Sequence, residues 1–116
     1  MGVEPYQSSM TVLQTTTTDQ PAREDIDLGA VLHALSDPIR LEIVAALDSR
    51  AEACPTGSFE VPVSKSTCTH HFRVLREAGV VRQRPEGTAR LNTLRRDDLD
   101  ARFPGLLDAV LDAKAG

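Results

Sequence analysis

The apolar positions of the chain fall mostly at helical spacing. Leu28, Val31, Leu32 and Leu35 lie on one side of a helix predicted over about 26–35. Ser36-Asp37-Pro38 then restarts the chain. Asp37 suits an N-cap, and Pro38 suits the first helical position, where a missing N–H costs nothing. Ile39, Ile43, Val44 and Leu47 stripe a second helix that ends near Ser49. Pro55, Gly57 and Pro62 break any long helix over 51–63, which reads as a loop or a short helical turn.

A third helix is expected near 64–78, capped by Ser64 or Ser66 and stopped by Gly79. At about 100° per residue, Cys68, His71, Phe72, Leu75 and Ala78 share one side. Ser66, Thr69, His70, Arg73, Arg76 and Glu77 share the other. Short hydroxyls, an imidazole and two guanidiniums on one face can hydrogen-bond base edges and phosphates. The spacing then changes. Residues 80–84 and 88–94 read as two short strands around Pro85-Glu86-Gly87, with Gly87 supplying a positive φ. Arg82, Arg84, Arg90 and Arg95 decorate this hairpin or its end. Asp97 can cap a helix carrying Leu99 and Phe103, and Pro104 opens another striped by Leu106, Leu107, Val110 and Leu111. A helix that short must dock on its own domain or on a partner chain.

Charge changes this picture more than composition does. The net charge of −4 argues against nucleic acid, but residues 61–96 carry eight basic and only two acidic side chains. Such a block inside an acidic protein is an electrostatic footprint for phosphate. Residues 1–25 are rich in Ser, Thr and Gln and poor in core formers, so a flexible arm is expected there and a folded domain over 26–116. Two cysteines, no secretory signal and no apolar run near membrane-spanning length indicate a reduced, cytoplasmic protein without a membrane partner. The chain has neither a glycine-rich phosphate loop nor His-Glu-x-x-His. Cys68 and His71 could pair as nucleophile and base but would face the core, so an enzyme is not expected. Cys68 reads as a small buried hydrophobe, and His71 as packed inside with one ring nitrogen satisfied. Cys54, beside Pro55 in a predicted loop, is the better candidate for a reactive or metal-binding thiol.

Helix, helix, break, helix, basic hairpin, helix is the winged helix-turn-helix order. The segments Ala34-Leu35-Ser36-Asp37-Pro38-Ile39-Arg40-Leu41-Glu42-Ile43 and Ser64-Lys65-Ser66-Thr67-Cys68-Thr69-His70-His71-Phe72-Arg73-Val74-Leu75-Arg76-Glu77-Ala78-Gly79-Val80-Val81 resemble the ArsR/SmtB family of bacterial regulators. The resemblance spans about residues 28–111. It implies a mainly α, dimeric winged helix-turn-helix fold with a small β-hairpin wing. The homodimer would form through the first and last helices, with Leu28, Val31, Leu106, Leu107, Val110 and Leu111 at the interface. The partner would be a double-stranded, pseudo-palindromic DNA operator, bound by Lys65, Ser66, Thr69, His70, Arg73, Arg76, Arg82, Arg84 and Arg90. The family further implies a sensor, often of a metal, and nickel or zinc is the first expectation. Candidate ligands are His33, Cys54, Asp108 and Asp112. The chain departs from the metal-binding pattern, with Gly57-Ser58-Phe59 in place of a Cys-x-Cys and no His after His71. A small-molecule or thiol-redox sensor of the same fold, or a protein-interaction module that has lost DNA binding, are the alternatives.

Overall fold

The computed structural model describes residues 20–50, 53–59 and 61–116. Helix α1 (Leu28–Leu35) begins where the Asp27 carboxylate accepts the Ala30 N–H. Helix α2 (Pro38–Asp48) repeats the device: Asp37 accepts from the Arg40 N–H, and Pro38 occupies the first turn. Desolvation pushes the Asp37 carboxyl up, but the Arg40 N–H and neighbouring positive charge outweigh it and hold it below the usual range. Strand β1 (Cys54–Pro55) and a single 3-10 turn (Thr56–Ser58) follow. Helix α3 (Lys65–Ala78) is capped by Ser64, whose hydroxyl accepts the Thr67 N–H, and ends at Gly79 with φ +88°. Strands β2 (Val81–Glu86) and β3 (Ala89–Leu94) form the wing, and helices α4 (Arg96–Arg102) and α5 (Leu106–Ala115) close the chain.

The sheet has order β1-β3-β2 and is antiparallel throughout. Pairing of Glu86 with Ala89 leaves Gly87-Thr88 as a two-residue turn, with Gly87 at φ +63°. Pro85, expected in the turn, lies within β2 opposite Arg90. β2 is an edge strand, where a residue without an N–H is tolerated. The stretch over 51–63 holds a strand that periodicity could not announce. Two residues are too few to alternate, and Cys54 and Pro55 pair with Asn92 and Leu91 far along the chain.

Val31, Ala34, Ile43, Val44, Phe72, Leu75, Val80, Val81, Leu99 and Leu107 form the centre of the core. Phe59 reaches over from the connector to meet Phe72, ring centroids 5.3 Å apart, so the non-helical stretch still seals the back of α3. The core also contains charge. Arg40 is 7% exposed. Its guanidinium donates to the carbonyls of Ala34 and His33 at the end of α1, and to Nδ1 of His71 on α3 at 3.2 Å. A guanidinium can only donate, so His71 Nδ1 is the acceptor and the ring proton resides on Nε2. Nε2 faces the Asp37 carboxylate at 4.0 Å.

The flexible arm expected over 1–25 lies outside the described residues as far as 19. Its last residues, by contrast, are fastened to the domain. The Gln20 side-chain amide both donates to and accepts from the backbone of Gln83 on β2. Pro21 accepts from the Arg95 guanidinium at 2.7 Å, and Ile26 is buried. The folded unit therefore begins before residue 26. Arg95, expected to decorate the wing, is itself buried, held by Asp98 and the Pro21 carbonyl.

Gly79 is where this segment meets the end of α3. A Cβ there would stand 2.8 Å from Ile26 Cγ1 at a φ that side chains rarely adopt. Gly79→Ala should therefore cost about 2 kcal/mol or more, strain and overlap together, read as a lower midpoint in urea. Asp98 supplies a second test. Hydrogen bonds from Arg23, then Arg95, hold its carboxyl below the usual range despite desolvation. A depressed native pKa adds stability that is present above about pH 4 and is lost as pH falls through the native value. Asp98→Asn should cost about 1.5–3 kcal/mol at pH 7. It should also flatten the acid limb of stability against pH, measured by denaturation from pH 7 down to 3.

Candidate nucleic-acid interface

Amphipathicity and the anchors beneath it decide what α3 presents. Cys68, His71, Phe72, Leu75 and Ala78 are all buried, as the spacing predicts. Burial pushes the Cys68 thiol up, which keeps it an unreactive core group. With that face fixed, Lys65, Ser66, Thr69, His70 and Arg73 stand exposed on the opposite face. The first turn carries a run of hydroxyls, with Ser64 Oγ 2.9 Å from Thr67 Oγ1 and 3.3 Å from Ser66 Oγ. The face is convex and polar, and α3 is 14 residues long. At about 1.5 Å per residue it spans some 20 Å, with a breadth that suits a major groove.

Arg76 behaves differently from the other expected contacts. It is half-buried and turned to the wing, where its guanidinium donates to Gln83 Oε1 at 2.7 Å. Gln83 Nε2 reaches Thr56 Oγ1, and the buried Asn92 donates to Thr56 Oγ1 and to the Cys54 carbonyl. These bonds set the angle between helix and wing, so Arg76 shapes the interface from behind. Arg82 and Arg84 share the exposed face of β2. Arg82 leans 3.5 Å from Asp98, Arg84 lies 3.4 Å from Glu86, and Arg90 is exposed on β3. The exposed cations of α3 and the wing, Lys65, Arg73, Arg82, Arg84 and Arg90, all come from one basic stretch of an otherwise acidic chain.

The residues suggested as metal ligands are not brought together. Cys54 is buried in β1 rather than in a loop, and the Arg50 guanidinium lies 3.4 Å from its Sγ. His33 is exposed on α1. Asp108 is ion-paired with Arg96 at 2.8 Å, and Asp112 is exposed on α5. Among the described residues, no group of three His, Cys, Asp or Glu side chains could hold a metal ion. The candidate dimer residues divide as well. Val31 and Leu107 are 1% and 2% exposed, inside the protomer's own core, so they offer no surface to a second chain. Leu106, Val110 and Leu111 are half-buried, whereas Leu28 and its neighbour Leu32 are 45% and 47% exposed on α1.

Reasoning from the sequence missed Gln20, Arg23, Arg40, Gln83 and Asp98. One signal was present: Arg40 sits four and seven residues before Val44 and Leu47, on the apolar stripe of α2, where a charged residue needs a buried partner. The others owe their roles to contacts more than 60 residues apart in the chain, which no local pattern encodes.

Comparison with known proteins agrees with the geometry. A helix-turn-helix domain family matches residues 35–84. The chain is 29% identical over 107 residues to an uncharacterised HTH-type transcriptional regulator, YceK, of Bacillus subtilis (strain 168), covering 90% of this chain and 99% of that protein. It is 31% identical over 70 residues to a cadmium resistance transcriptional regulatory protein CadC homolog of Staphylococcus aureus, covering 60% of this chain and 58% of that one. Among solved structures, an ArsR-like transcriptional regulator from Rhodococcus sp. RHA1 superposes with a TM-score of 0.56 at 26% identity, over 76% of this chain and 85% of that one. With its two N-capped helices, recognition-type helix and arginine-bearing wing, the chain carries a helix-turn-helix domain and is similar in sequence and winged fold to ArsR-like DNA-binding transcriptional regulators.

Proposed function

We propose that the chain binds its operator as a homodimer, laying α3 in the major groove of each half of a pseudo-palindromic duplex. Ser66, Thr69, His70 and Arg73 reach base edges. Lys65 holds a phosphate near the start of the helix, and Arg84 and Arg90 hold the flanking backbone. The observation that carries this reading is the outer face of α3: five exposed hydrogen-bonding or cationic side chains on a helix whose other face is locked in the core. A two-fold dimer repeats that face one helical turn of DNA away, which matches a two-fold operator. The alternative of an interaction module without DNA binding leaves the concentration of eight basic side chains over 61–96 without a purpose.

The dimer contact proposed here is the outward side of α1, where Leu28 and Leu32 expose apolar surface one turn apart, extended by the half-buried edge of α5 at Leu106, Val110 and Leu111. Metal sensing draws support from the likeness to the cadmium resistance regulator, which favours neither nickel nor zinc. The described residues of a single chain do not gather a ligand set for such an ion: Asp108 is committed to Arg96, and Cys54 is buried in β1. Thiol-redox sensing has less support, since both cysteines are buried.

Two experiments test the reading. Arg73→Ala should lower operator affinity by about 1–3 kcal/mol and relax preference at one base position. Arg84→Ala should instead weaken all duplexes alike and reduce the slope of log affinity against log salt by about one. Equal, sequence-independent losses for both variants, measured by fluorescence anisotropy across salt, would remove Arg73 from base reading. For the dimer, Leu28→Glu with Leu32→Glu should give monomers in sedimentation while the helical circular dichroism is unchanged. An intact dimer would place the interface elsewhere.

A further inference from the structure

At the foot of the wing, three guanidiniums converge on one carboxylate. Asp98 of α4 accepts from Arg23 at 2.7 Å and from Arg95 at 2.8 Å, with Arg82 of β2 at 3.5 Å. Arg95 is fixed, its side chain 3% exposed and its NH1 nitrogen donating to the Pro21 carbonyl. Arg23 and Arg82 are half exposed, at 51% and 55%. They open on a surface pocket of about 270 Å³ whose lining also includes Thr93 and Asp97. Thr93 pairs with Arg82 across the two strands, so its hydroxyl is on the same face.

The charges here do not balance. Three cations meet one carboxylate, and even with Asp97 counted the cluster stays one charge positive. Arg96, also on the rim, is neutralised elsewhere by Asp48 and Asp108. Like charges this close repel unless an anion joins them. Arg23 gives its Nε–H to Asp98 while half of its side chain stays exposed. Two guanidinium forks approaching from different elements suit a tetrahedral oxyanion, which presents oxygen pairs in more than one plane. The cluster is also built in place. The Gln20 clamp on Gln83 and the Pro21 contact to Arg95 carry Arg23 to the wing.

We propose that this pocket is a phosphate site, held by Arg23 and Arg82 over Asp98 and Arg95. The phosphate is either a backbone phosphate of bound DNA or that of a free phosphorylated small molecule. The site does not depend on which bases α3 reads.

The probe is inorganic phosphate, titrated into the full-length chain at constant ionic strength and followed by amide chemical shifts and calorimetry. Saturable binding is expected, with shifts centred on residues 93–98. Arg23→Ala and Arg82→Ala should each weaken it about tenfold, the loss of a charge-assisted hydrogen bond, while Lys114→Ala, which removes a cation paired with Glu42 on α2, leaves it unchanged. Both substituted side chains are half exposed, and an unchanged fold is checked by circular dichroism. Non-saturable shifts, or equal binding by all four proteins, would overturn the proposal. Where binding is lost in Arg23→Ala, duplex affinity identifies the source. A uniform fall with a smaller salt slope assigns the site to the DNA backbone, and unchanged affinity assigns it to a free phosphorylated ligand. The groove-facing role of Arg73 stands or falls separately, on its base preference.

Discussion

The buried guanidinium of Arg40 is the constraint on which the arrangement of helices depends. An unpaired cation in the core costs several kcal/mol, so its donors must be met. They are met by two carbonyls at the open end of α1 and by a ring nitrogen of α3. The same bonds satisfy acceptors that the end of a helix would otherwise leave without partners. The end of α1, the start of α2 and the middle of α3 are thereby tied at one point. His71 and Phe72 are adjacent, so that tie also sets the rotation of α3, and with it which side chains face outward. The exposed row from Lys65 to Arg73 is a consequence of what is fixed on the other side.

A second polar network fixes the wing. Arg76, Gln83, Thr56 and Asn92 join α3, β2, the connector and β3 through side-chain hydrogen bonds. Apolar contact alone would let a two-stranded hairpin pivot, because burial is non-directional. Hydrogen bonds with defined geometry hold one angle. Gln20 contributes from outside by occupying the free edge of β2 as a single residue of an added strand would. With Pro85 further along the same edge, the strand offers little to a stray chain. The segment from Gln20 to Ile26 is therefore part of the folded domain and brings Arg23 to the wing.

Helix α5 shows how a local pattern can be right about an element and silent on its neighbour. Its stripe requires a cover, and the sequence left open whether that cover was its own domain or a second chain. In the fold, Leu107 goes into the protomer core, while Arg96–Asp108 and Lys114–Glu42 pin the helix to α2 and α4. The large apolar side chains left exposed are on α1, where Leu28 and Leu32 face out although they share a stripe with the buried Val31 and Leu35. Helical spacing identifies a stripe. It does not say how far the domain's own core extends across it.

By itself the sequence determined the helices, the caps of α2 and α3 and the two faces of α3, whereas Asp97, expected to cap α4, lies in its first turn behind an N-cap at Arg95. These follow from interactions within a few residues: Asp37 and Ser64 bond backbone N–H groups three positions on, Gly79 and Gly87 take positive φ, and apolar side chains recur at the helical period. It also determined the basic footprint, since charge is a property of composition. Tertiary structure alone decided the rest. Pairing of Cys54 with Asn92, the Gln20 clamp and the approach of Arg23 to Asp98 join segments 38, 63 and 75 residues apart, and the turn of Arg76 toward the wing follows from the packing of α3 on β2. A guanidinium on a helix can reach base, phosphate or carboxylate with equal ease. Which one it meets depends on what the fold places beside it.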